Sequence, residues 1–197
     1  MNKHPILVVQ EIIKKYGTDI KFEFSHYIYV PQTIDDQRII FSVSAKDLTR
    51  IKLEELCNST PPGTELALHS KVLLPDQTVM HIPMIDLATR ATGIIGRVID
   101  VLPLELSASM IWFESGRSFH GYGTVLISQD DWVKFMGRLL LVNLPQLPPV
   151  VDPRWIGHRL ISGYSALRWT KNTGHYLQKP ILAKNAHLIV GAPTKGQ

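Results

Sequence analysis

Two spacings of apolar residues alternate along this chain and predict a mixture of helices and strands. From Ile6 to Tyr16 the apolar residues follow three- and four-residue steps, which is typical of one face of an amphipathic helix, and Gly17 ends it. The same spacing recurs in three later segments. Helices are therefore predicted over residues 5–16, 46–57, 89–102 and 132–141, the last of them starting within Ser128–Asp131.

Segments rich in aromatic and β-branched residues, bounded by turn residues, predict strands. Residues 65–74 and 78–87 are predicted to form a hairpin, and residues 109–113 are predicted to pair with residues 122–127 across a glycine-rich bend. Further strands are predicted at 22–30 and 38–44, whereas the types of the elements at 155–164 and 166–169 stay open. This mixture predicts an α+β fold, in a single domain over residues 1–197.

Composition narrows the class of protein. With 45% hydrophobic and 19% charged residues, the chain is neither a disordered protein nor a coiled coil. A single cysteine, Cys57, excludes a disulfide framework and a cysteine-based zinc site. The longest apolar stretches are broken by charges or prolines before the ~20 residues that a membrane helix needs. We therefore expect a soluble, cytoplasmic protein with no membrane partner and no signal peptide.

The net charge of +4 conceals an asymmetry along the chain. Residues 1–152 carry 14 of the 21 Lys and Arg residues and all 17 acidic residues, which gives −3, and the seven remaining cations give +7 to the rest. An acid-free tail of one sign suggests a polyanionic partner such as nucleic acid or nucleotide phosphates. The alternative is a solvated basic face without a specific ligand.

Three segments carry candidate chemistry, and the first is the apolar strand of residues 81–88. Its only carboxylate, Asp86, lies near its end. A carboxylate among apolar residues is unfavourable unless it is paired or binds a metal. The alternative is that Asp86 caps the helix predicted from Thr89.

The second segment, residues 112–122, contains a polar turn between two strands. Gly116 allows the backbone to approach an anion, and Arg117, Ser118 and His120 offer side-chain donors. Because side chains alternate along a strand, Ser118 and His120 lie on one face and are predicted to bind phosphate. The alternative is a polar turn with a structural histidine.

The third segment begins at Asp152, the last acidic residue of the chain. Together with Asp86 it is predicted to hold a divalent cation through oxygen ligands. Arg159, Ser165 and Arg168 follow and are predicted to bind a triphosphate or a template backbone. The aromatic residues of this segment are candidates both for stacking on bases and for core packing: Trp155, Tyr164 and Trp169.

In this order the three segments resemble the motifs of the archaeo-eukaryotic primase (primase-polymerase) superfamily. The Ser115-Gly116-Arg117 turn followed by Ser118-Phe119-His120 matches the second motif, and Val151-Asp152 with its basic segment matches the third. The paired acids of the first motif would fall at Asp86 and position 88, which is Ala88. The chain is therefore most similar to the single-aspartate, primase 1D-like type.

The resemblance implies a fold, a reaction and partners. The fold would be a primase small-subunit-like core, an RRM-like antiparallel sheet with flanking helices, plus an N-terminal α/β unit. The reaction would be template-directed nucleotidyl transfer with Mg²⁺ or Mn²⁺, in which Asp86, His120 and Asp152 are catalytic. The partners would be a nucleic acid template, nucleoside triphosphates, and a helicase or another replication or defence protein.

The absent second acid leaves alternatives open. Glu114 and, less favourably, Asp100 are candidates to replace the missing carboxylate. Without a replacement, the chain would be a catalytically inactive primase-fold module that binds nucleic acid or recruits a partner. A metal-dependent phosphoesterase or nuclease is a third class, although no histidine spacing in the chain favours it. A soluble α+β domain that matches the motifs by chance is the fourth.

Overall fold

The computed structural model of the chain describes residues 3–34, 37–91 and 93–184, and confirms the α+β prediction. The helices are α1 (Ile6–Tyr16), α2 (Arg50–Asn58), α3 (Ile94–Ile99), α4 (Leu104–Ala108), α5 (Gln129–Leu141) and α6 (Pro153–Ser162). The strands are β1 (Lys21–Tyr27), β2 (Arg38–Ser44), β3 (Glu65–Leu73), β4 (Val79–His81), β5 (Met84–Asp86), β6 (Met110–Glu114), β7 (Phe119–Gly123), β8 (Ala166–Arg168) and β9 (Ile181–Leu182).

Two antiparallel sheets form the frame of the molecule. The first has the order β2-β1-β3-β4, with β8 paired to β3 next to β4. The second has the order β5-β7-β6-β9. The long strand β3 is central to the first sheet because β1 lies along one of its edges while β4 and β8 share the other.

The predicted hairpin over residues 65–74 and 78–87 is correct only for its first half. β3 and β4 pair across the turn, but the second strand breaks at Pro83, and β5 joins the other sheet. Proline has no N–H to continue a ladder. The Ile82 N–H donates to the Ser70 carbonyl at 2.7 Å, and the Pro83 carbonyl accepts from Gly123 N–H at 2.8 Å. This break passes the chain from one sheet to the other.

The predicted partner of residues 109–113 was wrong by several residues. β6 pairs with residues 119–123 rather than 122–127, in a register that sets Trp112 opposite Gly121. The Trp112 ring covers that glycine, and a Cβ there would lie 2.7 Å from the ring. The turn is therefore shorter than the bend that the glycines suggested.

Helix boundaries differ from the predictions where backbone signals intervene. The helix predicted over 89–102 is confined to α3, because Gly93 enters it in the left-handed region with φ of +76°. α2 starts at Arg50, where Thr49 caps it by accepting from Lys52 N–H. The two untyped elements are α6 and β8.

Two buried clusters support the sheets. One packs α1 against the first sheet through residues such as Ile12 and Phe24, and the other packs α5 against the second sheet through Trp112, Trp132 and Phe135. Across the described ranges, no helix is both long and apolar enough to cross a membrane.

We expect Gly121→Ala to lower the free energy of unfolding by about 1–3 kcal/mol, because the new methyl group would overlap the Trp112 ring. Urea denaturation measures this change. Gly137→Ala in α5 is the matched control, since its added Cβ meets no atom within 4 Å. Alanine favours a helix, so this control should be neutral or stabilising by up to ~1 kcal/mol. Equal stability of wild type and Gly121→Ala would contradict the packing described.

Candidate functional site

Asp86, His120 and Asp152 lie in one row across neighbouring chain segments. Asp86 pairs in register with His120 between β5 and β7. On the other side of β5, Leu87 forms an antiparallel bridge with Val151, and Asp152 N–H donates to the Asp86 carbonyl at 3.2 Å. Backbone pairing therefore brings together three residues that are distant in sequence, since His120 is 34 positions after Asp86 and Asp152 is 32 positions after His120.

The Asp86 carboxylate is held in an environment that disfavours its charge. Its Oδ1 lies 3.7 Å from His120 Nε2. Burial and the neighbouring Asp152 raise the pKa of Asp86 to about 7, although Arg168 and Arg159 oppose the shift. Burial and then Arg168 lower the pKa of His120 to about 3, so this imidazole is neutral at pH 7. The row thus places carboxylates next to a neutral hydrogen-bonding ring.

Asp152 also caps a helix, a role that the sequence offered as the alternative for Asp86. Its Oδ1 accepts from the N–H groups of Arg154 and Trp155, at 2.8 and 3.2 Å, and so caps α6. Both cap hydrogen bonds use Oδ1, which leaves Oδ2 outside the cap. The positive end of the helix dipole stabilises a carboxylate at this position.

The turn between β6 and β7 is fixed by hydrogen bonds along its length. Ser115 N–H donates to the Ser118 carbonyl at 2.9 Å, and the two hydroxyl oxygens are 3.1 Å apart. Gly116 has a φ of +113°, which favours glycine, and its carbonyl accepts from Arg90. Ser118 and His120 both line the same pocket, as strand alternation predicts.

Arg168 is a buried cation at the floor of this region, with 4% of its surface exposed. Its guanidinium donates to the Ser115 carbonyl at 3.0 Å and to the Thr170 carbonyl. It also lies 3.9 Å from the centroid of the Tyr176 ring. Within the part of the chain that the structure describes, its Nε has no hydrogen-bond partner. An anion would stabilise such a buried charge.

An open pocket of about 420 Å³ lies over these groups. Its size is in the range of small-molecule sites. Among the described residues that line it, five arginines surround two carboxylates, so the pocket attracts anions. The charged lining residues are Arg38, Arg117, Arg154, Arg159, Arg168, Asp86 and Asp152.

One predicted phosphate ligand lies elsewhere. Ser165 is fully buried, and its hydroxyl accepts from Trp132 Nε1 at 3.1 Å while its N–H donates to Ser70. It links α5 to β3 in the core and does not line the pocket. Of the candidate stacking residues, Trp169 is also buried, whereas Trp155 lines the pocket.

Neither proposed substitute for the second acid reaches the row. Glu114 pairs with Phe119 in the β6–β7 ladder, on the opposite face from His120, and bonds to Arg90 at 2.8 Å. Asp100 follows α3, away from the pocket. Ala88 stands at the sequence position of the second acid, and its exposed methyl group lines the pocket.

The residues present fit a divalent cation held by two carboxylates. Asp152 contributes to the raised pKa of Asp86, and a bound cation would offset this repulsion between the two carboxylates. Carboxylates are also the ligands that Mg²⁺ and Mn²⁺ prefer. Within residues 3–34, 37–91 and 93–184, no group of three or more His, Cys, Asp and Glu side chains is arranged as a metal site. Such a cation would therefore need water or substrate oxygens to complete its coordination.

The basic tail contributes only in part to the pocket. Arg154, Arg159 and Arg168 line it, whereas Lys171, Lys179 and Lys184 are exposed elsewhere and Lys195 lies outside the described residues. The N-terminal hairpin contributes residues that the sequence did not indicate: Tyr27, Tyr29 and Arg38. Tyr27 and Tyr29 lie next to Tyr176, and the Arg38 guanidinium lies over the Tyr27 ring. No motif spacing in the sequence indicates these contacts.

A structural comparison supports the fold. A solved structure, the catalytic domain of primase Repb' in complex with initiator DNA, superposes with a TM-score of 0.53. The match covers 95% of this chain and 92% of that chain at 10% sequence identity, so it supports the primase-like fold. No curated protein matches the chain in sequence.

A family model gives the closer relation. The model described as AEP-like, archaeo-eukaryotic primase 1D-like, matches residues 44–181, which include the row, the Ser-Gly-Arg turn and α6. That range covers well over half of the 197 residues. The chain therefore belongs to the archaeo-eukaryotic primase 1D-like family.

Proposed function

We propose that the pocket binds a nucleoside triphosphate with Mg²⁺ or Mn²⁺ and catalyses template-directed nucleotidyl transfer. The observation that carries the proposal is the pairing of Asp86 with Asp152 on one side of the pocket and buried Arg168 on its floor. Paired carboxylates and a buried arginine in one pocket suit a cation and a polyphosphate together.

Asp86 and Asp152 would hold the cation. When bound, a divalent cation neutralises triphosphate charge and favours ionisation of the attacking hydroxyl. Ser118 donates a hydrogen bond to phosphate, and the neutral His120 acts as a hydrogen-bonding group rather than as a charge. The guanidinium of Arg168, already fixed by two carbonyls, adds a positioned positive charge.

A template strand would follow the arginines at the mouth of the pocket. Arg117 extends from the β6–β7 turn, and Arg154 at the start of α6 donates to the Thr33 carbonyl at 2.9 Å. Contacts of this kind position a nucleic acid backbone without reading its sequence. A helicase or another replication or defence protein in the cytoplasm would supply the unwound strand.

A second candidate function rests on Ala88. Its methyl group lies where the family's second acid would stand, so the pocket holds one carboxylate fewer than a two-metal site uses. In this case the chain is a nucleic-acid-binding or partner-recruiting module that does not incorporate nucleotides.

We expect Asp86→Asn and Asp152→Asn each to reduce nucleotide incorporation by about 100-fold or more, because each removes a charge that holds the cation. Asparagine is also a good N-cap, so Asp152→Asn keeps α6 capped and separates chemistry from folding. Primer synthesis and primer extension with Mg²⁺ and with Mn²⁺ are the assays. Asp100→Asn, outside the pocket, should retain wild-type activity. An active wild type with a fully active Asp152→Asn variant would refute the assignment.

Ala88→Asp tests whether the pocket is a cation site that lacks one carboxylate ligand. A third carboxylate facing the pocket should tighten Mn²⁺-dependent nucleoside triphosphate binding by about tenfold or more, because it adds an anionic ligand. Isothermal titration measures the change. Ala88→Asn, which adds a similar volume without charge, is the control. Salt-dependent nucleic acid binding with no incorporation by wild type would favour the second candidate.

The pKa of Asp86 predicts how stability depends on pH. The folded protein keeps this proton up to about pH 7, whereas the unfolded chain releases it near 3.8, so the charge destabilises the fold increasingly between these values. Asp86→Asn removes the charge. Its free energy of unfolding should match that of wild type near pH 4 and exceed it by on the order of 1–3 kcal/mol at pH 8. A gap independent of pH would contradict the shifted pKa.

A further inference from the structure

A chain of rings leads from the buried Arg168 to the mouth of the pocket. Tyr176 lies under the Arg168 guanidinium, His175 meets Tyr176 edge-on at 4.7 Å, and Tyr29 stacks on His175 with centroids 4.1 Å apart and planes 29° apart. All of these residues line the pocket. Tyr29 is 43% exposed and His175 is exposed, so the outer end of this chain is open to a ligand.

The segment that carries His175 and Tyr176 is anchored by a buried carboxylate. Glu65, fully buried, accepts from the N–H groups of Asn172 and Thr173 at 2.9 and 2.8 Å. It also accepts from the hydroxyls of Thr170 and Thr173. At the inner end, the hydroxyl oxygens of Tyr27 and Tyr176 are 3.0 Å apart. These contacts fix the rings before any ligand arrives, which lowers the entropic loss on binding.

The charge state of the outer pair suits an aromatic ligand. Although His175 is exposed, partial desolvation on its inner side, with Arg117 and Arg168, lowers its pKa, which favours the neutral ring at neutral pH. A neutral imidazole next to a tyrosine presents flat faces without a charge. Such faces stack on any nucleobase, because every base has a π-face.

Resting on the proposed function, we propose that Tyr29 and His175 form the platform for the base of the incoming nucleoside triphosphate. The phosphates then lie at Arg168 and Ser118, and the base lies at the outer end of the same ring chain. The platform lies in the pocket that holds the phosphate-binding groups, which favours the incoming nucleotide over a template base. Stacking without hydrogen-bond readout predicts similar affinity for all four bases.

The test compares a ligand with a base and one without. Adenosine triphosphate and inorganic tripolyphosphate, each with Mn²⁺, and a single-stranded oligothymidylate are titrated into the 197-residue wild-type chain and into four variants: Tyr29→Ala, His175→Ala, Tyr29→Phe and His175→Phe. We expect the alanine variants to bind adenosine triphosphate about 5- to 100-fold more weakly. They should bind tripolyphosphate as wild type does, and the phenylalanine variants should bind both ligands within about twofold of wild type because the flat ring is kept.

The other possible outcomes refute either the stacking platform alone or the proposed function as well. Alanine variants that bind adenosine triphosphate like wild type refute the platform and leave the proposed function standing. If the alanine variants bind tripolyphosphate and adenosine triphosphate equally weakly, the two rings have a structural role, and this result also refutes the platform. Weaker binding of a single-stranded oligothymidylate with unchanged adenosine triphosphate binding assigns the rings to the template, against this proposal. A wild type that binds neither phosphate ligand refutes the proposed function itself.

Discussion

The antiparallel pairing of residues 150–152 with residues 86–88, at the end of β5, and the pairing of β5 with β7 are the constraint on which the site depends. It places Asp152, Asp86 and His120 side by side. Two carboxylates and a buried imidazole in one row are unfavourable by themselves, as the raised pKa of Asp86 shows. The fold tolerates this arrangement because two hydrophobic clusters and two sheets hold the backbone in place.

Three other parts of the fold surround the two carboxylates and the imidazole. Arg168 on β8 approaches from the first sheet, α6 directs its positive end at Asp152, and the Ser115–Ser118 turn closes the third side. The break at Pro83 makes this possible, because it carries the chain from the first sheet, which holds Arg168, to the second, which holds Asp86. The position of Asp86 relative to Arg168 thus depends on the strand break at Pro83.

The sequence singled out four residues that line the pocket, but it did not predict their surroundings. Asp86, Ser118, His120 and Asp152 were visible because strand alternation and motif order are local properties. Ser165 was assigned to phosphate, but it is a core residue, since burial by Trp132 depends on tertiary packing. The hairpin partner of β6 was misplaced for a local reason, because the glycines suggested a longer turn. The tyrosines of the N-terminal hairpin were not indicated as site residues because their partners lie far along the chain. Contacts between distant segments leave no periodic signal.

The most direct test of the account is a crystal structure with Mn²⁺ and a non-hydrolysable nucleoside triphosphate, with anomalous scattering used to locate the metal. The account predicts one Mn²⁺ contacted by Asp86 and Asp152, with phosphate oxygens completing its coordination and contacting Ser118 and Arg168. Mn²⁺ bound away from both carboxylates, or a triphosphate outside this pocket, would contradict it.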